Sequence, residues 1–178
     1  MARLNWGCGE RPARGWVNSD LRCLPGVELC CDIREGLPAP SAAFDAVVSI
    51  HALQMLGYTE LVPALRELRR VLRPGGVLRL ALPDLERAIA AYLRSDHDYF
   101  CIPDDDETTI GGKLIAHVLW YGSSRTLFTA DFALDLLDRA GFADPAQCAF
   151  RTTASCDTSI VELDDRPRET LFVEASAP

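Results

Sequence analysis

The stretch Leu4–Glu10, "LNWGCGE", decides the fold, because it places a glycine turn directly after a short apolar run. The letters "LNW" are typical of the end of a buried strand. Gly7 and Gly9 can adopt the positive φ angles that other residues avoid, and they lack the Cβ atoms that would keep a ligand away from the backbone. The turn therefore either joins a strand to the next element or cradles a ligand.

Composition bounds the possible functions. The chain has 178 residues, 48% of them hydrophobic and 25% charged, which is typical of one soluble globular domain spanning residues 1–178. A net charge of -8 argues against nucleic acid and against an anionic membrane as partners, because both attract Lys- and Arg-rich surfaces. We see no signal peptide and no apolar run long enough to span a bilayer, which predicts a cytoplasmic protein.

The cysteine pattern does not indicate a disulfide framework. Seven cysteines are scattered along the chain, and the three histidines do not fall at metal-ligand spacing with them. Cys30 and Cys31 are adjacent, so their side chains would point to opposite faces of a strand. We therefore predict reduced, partly buried thiols and no metal site.

Apolar periodicity predicts strands that alternate with helices. Leucines at helical spacing predict a helix between Tyr58 and Arg73, capped by Thr59 and ended by the following "RPGG". Further helices are predicted after the caps Asp84 and Thr129, the second ending at Gly141. Apolar runs predict seven strands at "RLNWG", "GWVNSD", "GVELCCDI", "FDAVVSI", "VLRLAL", "QCAFRTT" and "ETLFVEA". This alternation implies a three-layer α/β sandwich with a mostly parallel sheet.

Polar residues follow three of the predicted strands at the edge where the glycine turn lies. Asp20 ends the second strand, Asp32 ends the third, and Ser49–His51 end the fourth. Ligands of open parallel sheets bind outside the carboxyl ends of the strands. A carboxylate after the second strand can accept hydrogen bonds from both ribose hydroxyls, and a polar group one strand further out can meet an adenine amine. Either aspartate alone is an ordinary turn residue, but together with the glycine turn they favour an adenosine pocket.

The glycine pattern indicates which adenosine compound fits. A dinucleotide fingerprint needs a third glycine and a helix that faces the pyrophosphate. Here Glu10 follows Gly9, the third glycine is missing, and little space remains before Asp20 for a full helix. S-adenosylmethionine, which has no phosphate, suits this turn better than NAD does.

The chain resembles the class I S-adenosylmethionine-dependent methyltransferases, specifically the compact group with sequences like "LNLGCG…GWINVDL". The matching runs are "LNWGCGE", "GWVNSDL", "CCDIREGLPAP", "FDAVVSIHALQML", "ELRRVLRPGGVLRLALPDLE" and "LLDRAGF". The resemblance implies a Rossmann-like seven-stranded sheet of order 3-2-1-4-5-7-6, in which only the last strand is antiparallel. It also implies S-adenosyl-L-methionine as cofactor, bound by Asn5, Gly7, Cys8, Gly9, Asp20, Leu21, Asp32, Ile33, Ser49 and His51.

Asn5 stands where many members of this group carry an acidic residue near the methionine amine. A second departure follows the fourth strand, where Leu53-Gln54-Met55-Leu56 replaces the common L-E-H-L. The missing acid and histidine remove two possible proton-transfer groups. Asp45 also matches the group pattern, but it begins its strand at the end far from the ligand, which indicates a structural role.

His51 is our first candidate general base, because a histidine with a near-neutral pKa at a strand end could reach the acceptor. The competing interpretation is that His51 packs against the cofactor or caps the following helix. The irregular segment 95–129 is expected to form an acceptor-side lid and contains the second catalytic candidate, Tyr121. Arg125 lies in the same segment, and we expect it to pair at the surface with the acidic run 104–107. The candidate acceptor-binding residues are Asp84, His117 and Arg125.

The residues and the resemblance together predict methyl transfer to an oxygen or nitrogen of a small molecule. Two alternatives from other classes remain open. One is a protein that binds S-adenosylmethionine without transferring its methyl group, which the Gln54-Met55 departure permits. The more remote one is an NAD-dependent dehydrogenase.

Overall fold

A computed structural model describes all 178 residues, Met1–Pro178, and contains one seven-stranded sheet. The sheet order is β3-β2-β1-β4-β5-β7-β6, and only β7 runs antiparallel to its neighbours. The Rossmann-like topology predicted from the sequence is therefore confirmed. The strands are β1 (Arg3–Trp6), β2 (Val17–Asp20), β3 (Leu29–Cys30), β4 (Phe44–Ile50), β5 (Leu72–Pro83), β6 (Ala143–Cys148) and β7 (Thr170–Ser176).

Four helices accompany the sheet, namely α1 (Tyr58–Val71), α2 (Leu85–Leu93), α3 (Ile110–Leu119) and α4 (Ala130–Ala140). The apolar stripes of α1 and α4 pack on one face of the sheet and complete a core of 27 buried residues. Helices α2 and α3 share a separate small cluster with Tyr99, Phe100 and Ile102. None of the four helices combines the length and apolar composition that crossing a bilayer requires.

The long connection between β6 and β7 packs on the opposite face of the sheet. Ile160 packs there with Trp16 and with Val48 of β4, and Asp157 forms an ion pair with Arg3 of β1 at 2.7 Å. The last part of this connection, Glu162–Glu169, is called the strap below. Its position brings residues far along the chain next to the first strand and its glycine turn.

A fully buried arginine fixes this connection to the sheet. The guanidinium of Arg79, on β5, pairs with Asp164 at the start of the strap and with Glu174 of β7, both at 2.5 Å. It also donates to the backbone carbonyls of Ala149 and Thr152. Because a buried charge without partners is costly, these contacts hold the connection tightly against the sheet.

Several predicted boundaries are wrong. Helix α1 is capped by Gly57 rather than Thr59, because the Glu60 carboxylate accepts the Gly57 N–H and the helix begins at Tyr58. It ends at Val71, and the "RPGG" turn lies inside β5 as that strand begins. The segment 95–129, expected to be irregular, contains the helix α3. Gly111 and Gly112 lie in its first turn, which Thr109 caps.

Strand β6 spans Ala143–Cys148 rather than the predicted "QCAFRTT" run. Its register is set by pairing with β7, where Cys148 lies opposite Phe172 and Ala143 opposite Ser176. Such pairing depends on tertiary contacts more than on local preference. The caps Asp84, Thr129 and Gly141 are confirmed.

The prediction of only reduced thiols is wrong for two cysteines. Cys23 and Cys30 form a disulfide, because the turn after β2 brings their Cα atoms to 5.1 Å. The other five are free, and Cys8 among them is buried. No group of three or more His, Cys, Asp or Glu side chains is arranged to hold a metal ion.

Candidate active site

Two adjoining cavities lie at the carboxyl ends of β1, β2 and β4. The first, of about 730 Å³, is bordered by the strap and is called the strap cavity. The second, of about 570 Å³, is bordered by Asp20 and Asp32 and is called the aspartate cavity. The two cavities share six lining residues and therefore form one continuous crevice. The shared residues are Gly7, Gly9, Arg22, His51, Met55 and Trp120.

The glycine loop after β1 forms the floor between the two cavities. Gly7 and Gly9 have φ angles of 72° and 56°. Asp20 stabilises this loop, since its Oδ2 accepts the Gly9 N–H at 2.8 Å and its Oδ1 accepts the Arg22 N–H at 2.9 Å. A Cβ atom at Gly7 would lie 2.2 Å from the Cβ of Ala52. Only glycine fits there, so the close approach of the two segments depends on Gly7.

A chain of charges borders the aspartate cavity. Asp32 pairs with Arg34 at 2.5 Å, and hydrogen bonds from Arg34 lower the pKa of the Asp32 carboxyl. Arg34 also contacts Glu60, which pairs with Arg125 at 3.1 Å. The expected pairing of Arg125 with the acidic run 104–107 is therefore wrong, because Glu60 lies closer on α1. Asp32 stays ionised and Arg125 lies at the cavity wall.

His51 lies at the junction of the cavities in a left-handed conformation with a φ of 50°. Its Nε2 is 2.9 Å from the Thr170 hydroxyl, and its Nδ1 is 3.5 Å from the Arg166 guanidinium. Burial, and then the nearby charge of Arg166, lower its pKa to about 3. The expectation of a near-neutral pKa is wrong, and the ring is a weak proton acceptor.

We expect the His51 ring to remain neutral between pH 8 and 5. Folding favours the neutral His51 ring. The stability of the fold is therefore not reduced by this histidine above about pH 6.5, the usual histidine pKa. The free energy of unfolding falls as the pH is lowered from there towards the folded-state pKa of about 3. An NMR titration of the ring signals, assigned with the H51Q variant, measures this directly. A midpoint between pH 6 and 7 would contradict the burial argument.

Three residues that line the strap cavity carry buried polar atoms without partners. They are Gln54 Oε1, His117 Nδ1 and Asp165 Oδ1. The Gln54 amide nitrogen donates to the His51 carbonyl at 2.7 Å, which fixes the side chain. His117 Nε2 lies 3.8 Å from Glu169 Oε2, and burial lowers the pKa of this histidine against the opposing effect of Glu169. Unpartnered buried polar atoms are costly in a folded protein, so their grouping here indicates a ligand site.

Most of the residues singled out from the sequence line this crevice. The strap cavity includes Asn5, Gly7, Cys8, Gly9, His51 and His117. The aspartate cavity includes Asp20, Leu21, Asp32, Ile33 and Arg125.

Three of the singled-out residues lie outside both linings. Ser49 is buried within β4, and no partner reaches its hydroxyl. Asp84 caps α2 and pairs with Arg87 at 3.0 Å. Tyr121 is exposed, and its hydroxyl donates to Asp106 at 2.5 Å.

Sequence reasoning missed the strap. Asp165, Arg166 and Glu169 line the strap cavity, yet they belong to the charged run "ELDDRPRE", which has no apolar periodicity. The ending "RPRETLFVEA" resembles the same group, but that resemblance assigned no role to these residues. Arg11 was also missed, and its Nη1 donates to Asp165 Oδ2 at 2.5 Å across 154 residues of sequence. The one local signal is Pro167, which marks a turn two residues after the adjacent aspartates Asp164 and Asp165.

Comparison with known proteins identifies a domain family match and proteins of the same fold. Residues 13–80 match the family model described as "Methyltransferase domain". No curated protein matches the sequence. Among solved structures, a possible histamine N-methyltransferase from Thermotoga maritima is 16% identical with a TM-score of 0.62, covering 99% of this chain and 82% of that one.

Two further solved structures show the same fold. One is a putative methyltransferase from Haloferax volcanii in complex with the Trm112 activator, 15% identical, TM-score 0.57, covering 99% of this chain and 82% of that chain. The other is 1,6-didemethyltoxoflavin-N1-methyltransferase from Burkholderia thailandensis with S-adenosylhomocysteine bound, 15% identical, TM-score 0.56, covering 98% and 70%.

The sheet order defines a Rossmann-like fold, and the crevice lies at the carboxyl edge where such sheets bind ligands. The match of residues 13–80 to a methyltransferase domain and the fold shared with solved methyltransferases support a class I S-adenosylmethionine-dependent methyltransferase. S-adenosylmethionine is accordingly its cofactor. The residues fit this molecule, because the glycine loop has the close approach to Ala52 that only Gly7 permits and the adjoining cavities contain carboxylates for a nucleoside and for a charged tail.

Proposed function

We propose that the chain transfers the methyl group of S-adenosylmethionine to an oxygen or nitrogen of a small molecule. The observation that carries this proposal is the continuity of the two cavities at the glycine loop. The aspartate cavity offers carboxylates for a nucleoside, and the strap cavity offers buried, unpartnered polar atoms beyond the loop. A cofactor that extends across the loop would present its sulfonium between the two.

The aspartate cavity holds the adenosine in this proposal. Asp20 accepts two backbone hydrogen bonds, and each carboxylate oxygen retains a lone pair for a ribose hydroxyl. Asp32 and Ile33 border the adenine edge, and Leu21 packs beside the ring. Both aspartates are held in place by neighbouring backbone N–H groups, so the pocket is largely formed before the ligand binds.

The strap cavity holds the acceptor. Its volume of about 730 Å³ suits a small molecule together with the cofactor tail. Methyl transfer is an in-line displacement from an activated sulfonium, so alignment of the acceptor supplies much of the acceleration. His51 serves here as a neutral positioning group rather than as the base. Where the acceptor loses a proton, we assign its uptake to His117 with Glu169, which both line the strap cavity.

The segment 95–129 forms the acceptor-side wall in this proposal. Trp120 lines both cavities, and Lys113 anchors the segment by donating to the Ile102 carbonyl and to Asp104 at 2.7 and 2.6 Å. The single domain needs no nucleic-acid or membrane partner for this chemistry, and a cytoplasmic location fits it. The small acceptor is the only partner that the proposal requires.

Calorimetric titration with S-adenosylmethionine, S-adenosylhomocysteine and NAD tests the cofactor, and mass-spectrometric detection of methylated product over a panel of small phenols, amines and azoles tests the reaction. We expect binding of the first two and methylation of at least one acceptor. Binding of NAD alone would overturn the proposal. Binding of S-adenosylmethionine with methylation on carbon only, or with no methylation, would favour another use of the same site.

We expect Asp20→Ala to weaken S-adenosylhomocysteine binding by ~1–3 kcal/mol, because the ribose loses a charged acceptor and the glycine loop loses its support. The measurement is calorimetric titration of the folded variant. Asp45→Ala is the control, since Asp45 binds the Ala2 N–H and Arg73 at the opposite end of the sheet. Equal affinity of the Asp20 variant and the wild type would remove Asp20 from the site.

A further inference from the structure

The glycine loop lacks the charge that a methionine tail requires. Asn5 stands where the resembling group often carries an acidic residue, and it is uncharged. Its side-chain nitrogen is already used, donating to Asn18 Oδ1 at 3.0 Å and to the Arg11 carbonyl at 3.4 Å. An ammonium group placed above the loop therefore has no carboxylate partner on β1.

Asp165 of the strap faces this position from the other side of the strap cavity. Both Asn5 and Asp165 line that cavity, and Arg11 of the glycine loop tethers Asp165 Oδ2 at 2.5 Å. The other oxygen, Oδ1, is buried and has no hydrogen-bond partner. One carboxylate oxygen is thus fixed over the loop while its neighbour remains available for a donor.

The other carboxylates around the strap cavity are engaged or solvated. Both Asp164 oxygens accept from Arg79, and one of them also accepts the Arg151 N–H. Glu169 contacts Cys101 and His117. Glu10 is exposed beside Arg22. Glu162 is exposed and forms no ion pair, so its charge remains in water.

The geometry points to Asp165 as the residue that binds the ammonium group of the cofactor's methionine tail, replacing the acid that is missing at Asn5. This inference rests on the proposed binding of S-adenosylmethionine in the crevice. The strap would then complete the cofactor site, although its residues lie at the other end of the chain from the glycine loop.

The strap also offers a cation for the negatively charged carboxylate of the methionine tail. Arg166 lies 3.8 Å from both Asp165 and Glu169 and 3.5 Å from His51 Nδ1. These distances exceed those of strong charge-assisted hydrogen bonds, so its guanidinium retains donors for the carboxylate of the tail. Arg166 has a φ of 51° directly before Pro167. Arg166 lines the strap cavity, where the tail is proposed to bind.

The test compares S-adenosylhomocysteine with an analogue in which hydrogen replaces its amino group. We expect the wild type to bind S-adenosylhomocysteine about ten- to a hundredfold more tightly than the analogue, as for loss of a charged hydrogen bond. Asp165→Asn should reduce the affinity for S-adenosylhomocysteine by a similar factor and leave that for the analogue within about twofold. Both affinities are measured by calorimetric titration, which does not depend on an acceptor.

Asp45→Asn is the control, because it removes a carboxylate charge at the end of the sheet opposite the crevice and should change neither affinity more than about twofold. A loss of both affinities together in Asp165→Asn would show that Asp165 only supports the pocket and would overturn the inference. So would unchanged binding, or a wild type that does not distinguish the two compounds. A wild type that binds neither compound would instead contradict the proposed function.

Discussion

Replacing Gly7 by alanine is expected to abolish measurable binding of S-adenosylhomocysteine while the domain remains folded. The new Cβ would lie 2.2 Å from the Cβ of Ala52, and the backbone at Gly7 has a φ of 72°. A displacement of the glycine loop is the only relief, because the clash involves the short, stiff side chain of Ala52. Since this loop separates the two cavities, we expect a loss of roughly a hundredfold or more in affinity, measured by calorimetric titration.

Gly15→Ala is the control for this prediction. Gly15 also has a positive φ, 81°, but a Cβ there would meet nothing within 4 Å. The two variants share the backbone cost of about 1–2 kcal/mol and differ in the collision. If both variants weaken binding equally, the loss of affinity in Gly7→Ala comes from backbone strain and not from the collision with Ala52.

Replacing Arg79 by methionine is expected to destabilise the fold by about 3–5 kcal/mol, because it leaves two buried carboxylates without a cation. Asp164 and Glu174 both pair with Arg79 in a region where the arginine side chain has no exposed surface. Hydrogen bonds and ion pairing to these carboxylates raise the pKa of Arg79 above its usual range despite its burial. Urea unfolding followed by circular dichroism measures the change.

Two further variants separate this ion-pair effect from a general loss of charge. Arg73→Met removes a half-exposed partner of Asp45 and should cost no more than about 1 kcal/mol. The triple variant R79M/D164L/E174L should recover most of the stability lost in R79M, since apolar side chains can replace a buried ion network. Failure of the triple variant to recover any stability would indicate that the backbone carbonyl contacts of Arg79 matter more than its ion pairs.

The sequence predicted those parts of the fold whose physical causes are local. Apolar runs marked the strands, and the leucine spacing of α1 marked its buried face. Asp84 and Gly141 marked helix ends because capping depends on a few adjacent residues. The position of β6 could not be read in this way, since its register comes from pairing with β7.

The aspartate cavity was predictable because its residues follow consecutive strands, and parallel strands bring such residues to one edge. The strap cavity was not, since Asp165 reaches the glycine loop only through a long connection across the sheet. The pKa of His51 was also out of reach, because it depends on burial and on Arg166, which is 115 residues away in sequence. The disulfide between Cys23 and Cys30 depends on a turn geometry that spacing alone does not specify.

The Arg11–Asp165 contact joins residues that are synthesised at very different times during translation. The loop that Arg11 belongs to is synthesised first, but its partner emerges 154 residues later. A growing chain that ends before the strap can form the early strands and still lack one wall of its ligand crevice. Under the proposed assignment of Asp165, full affinity for S-adenosylmethionine then requires that the strap has been synthesised.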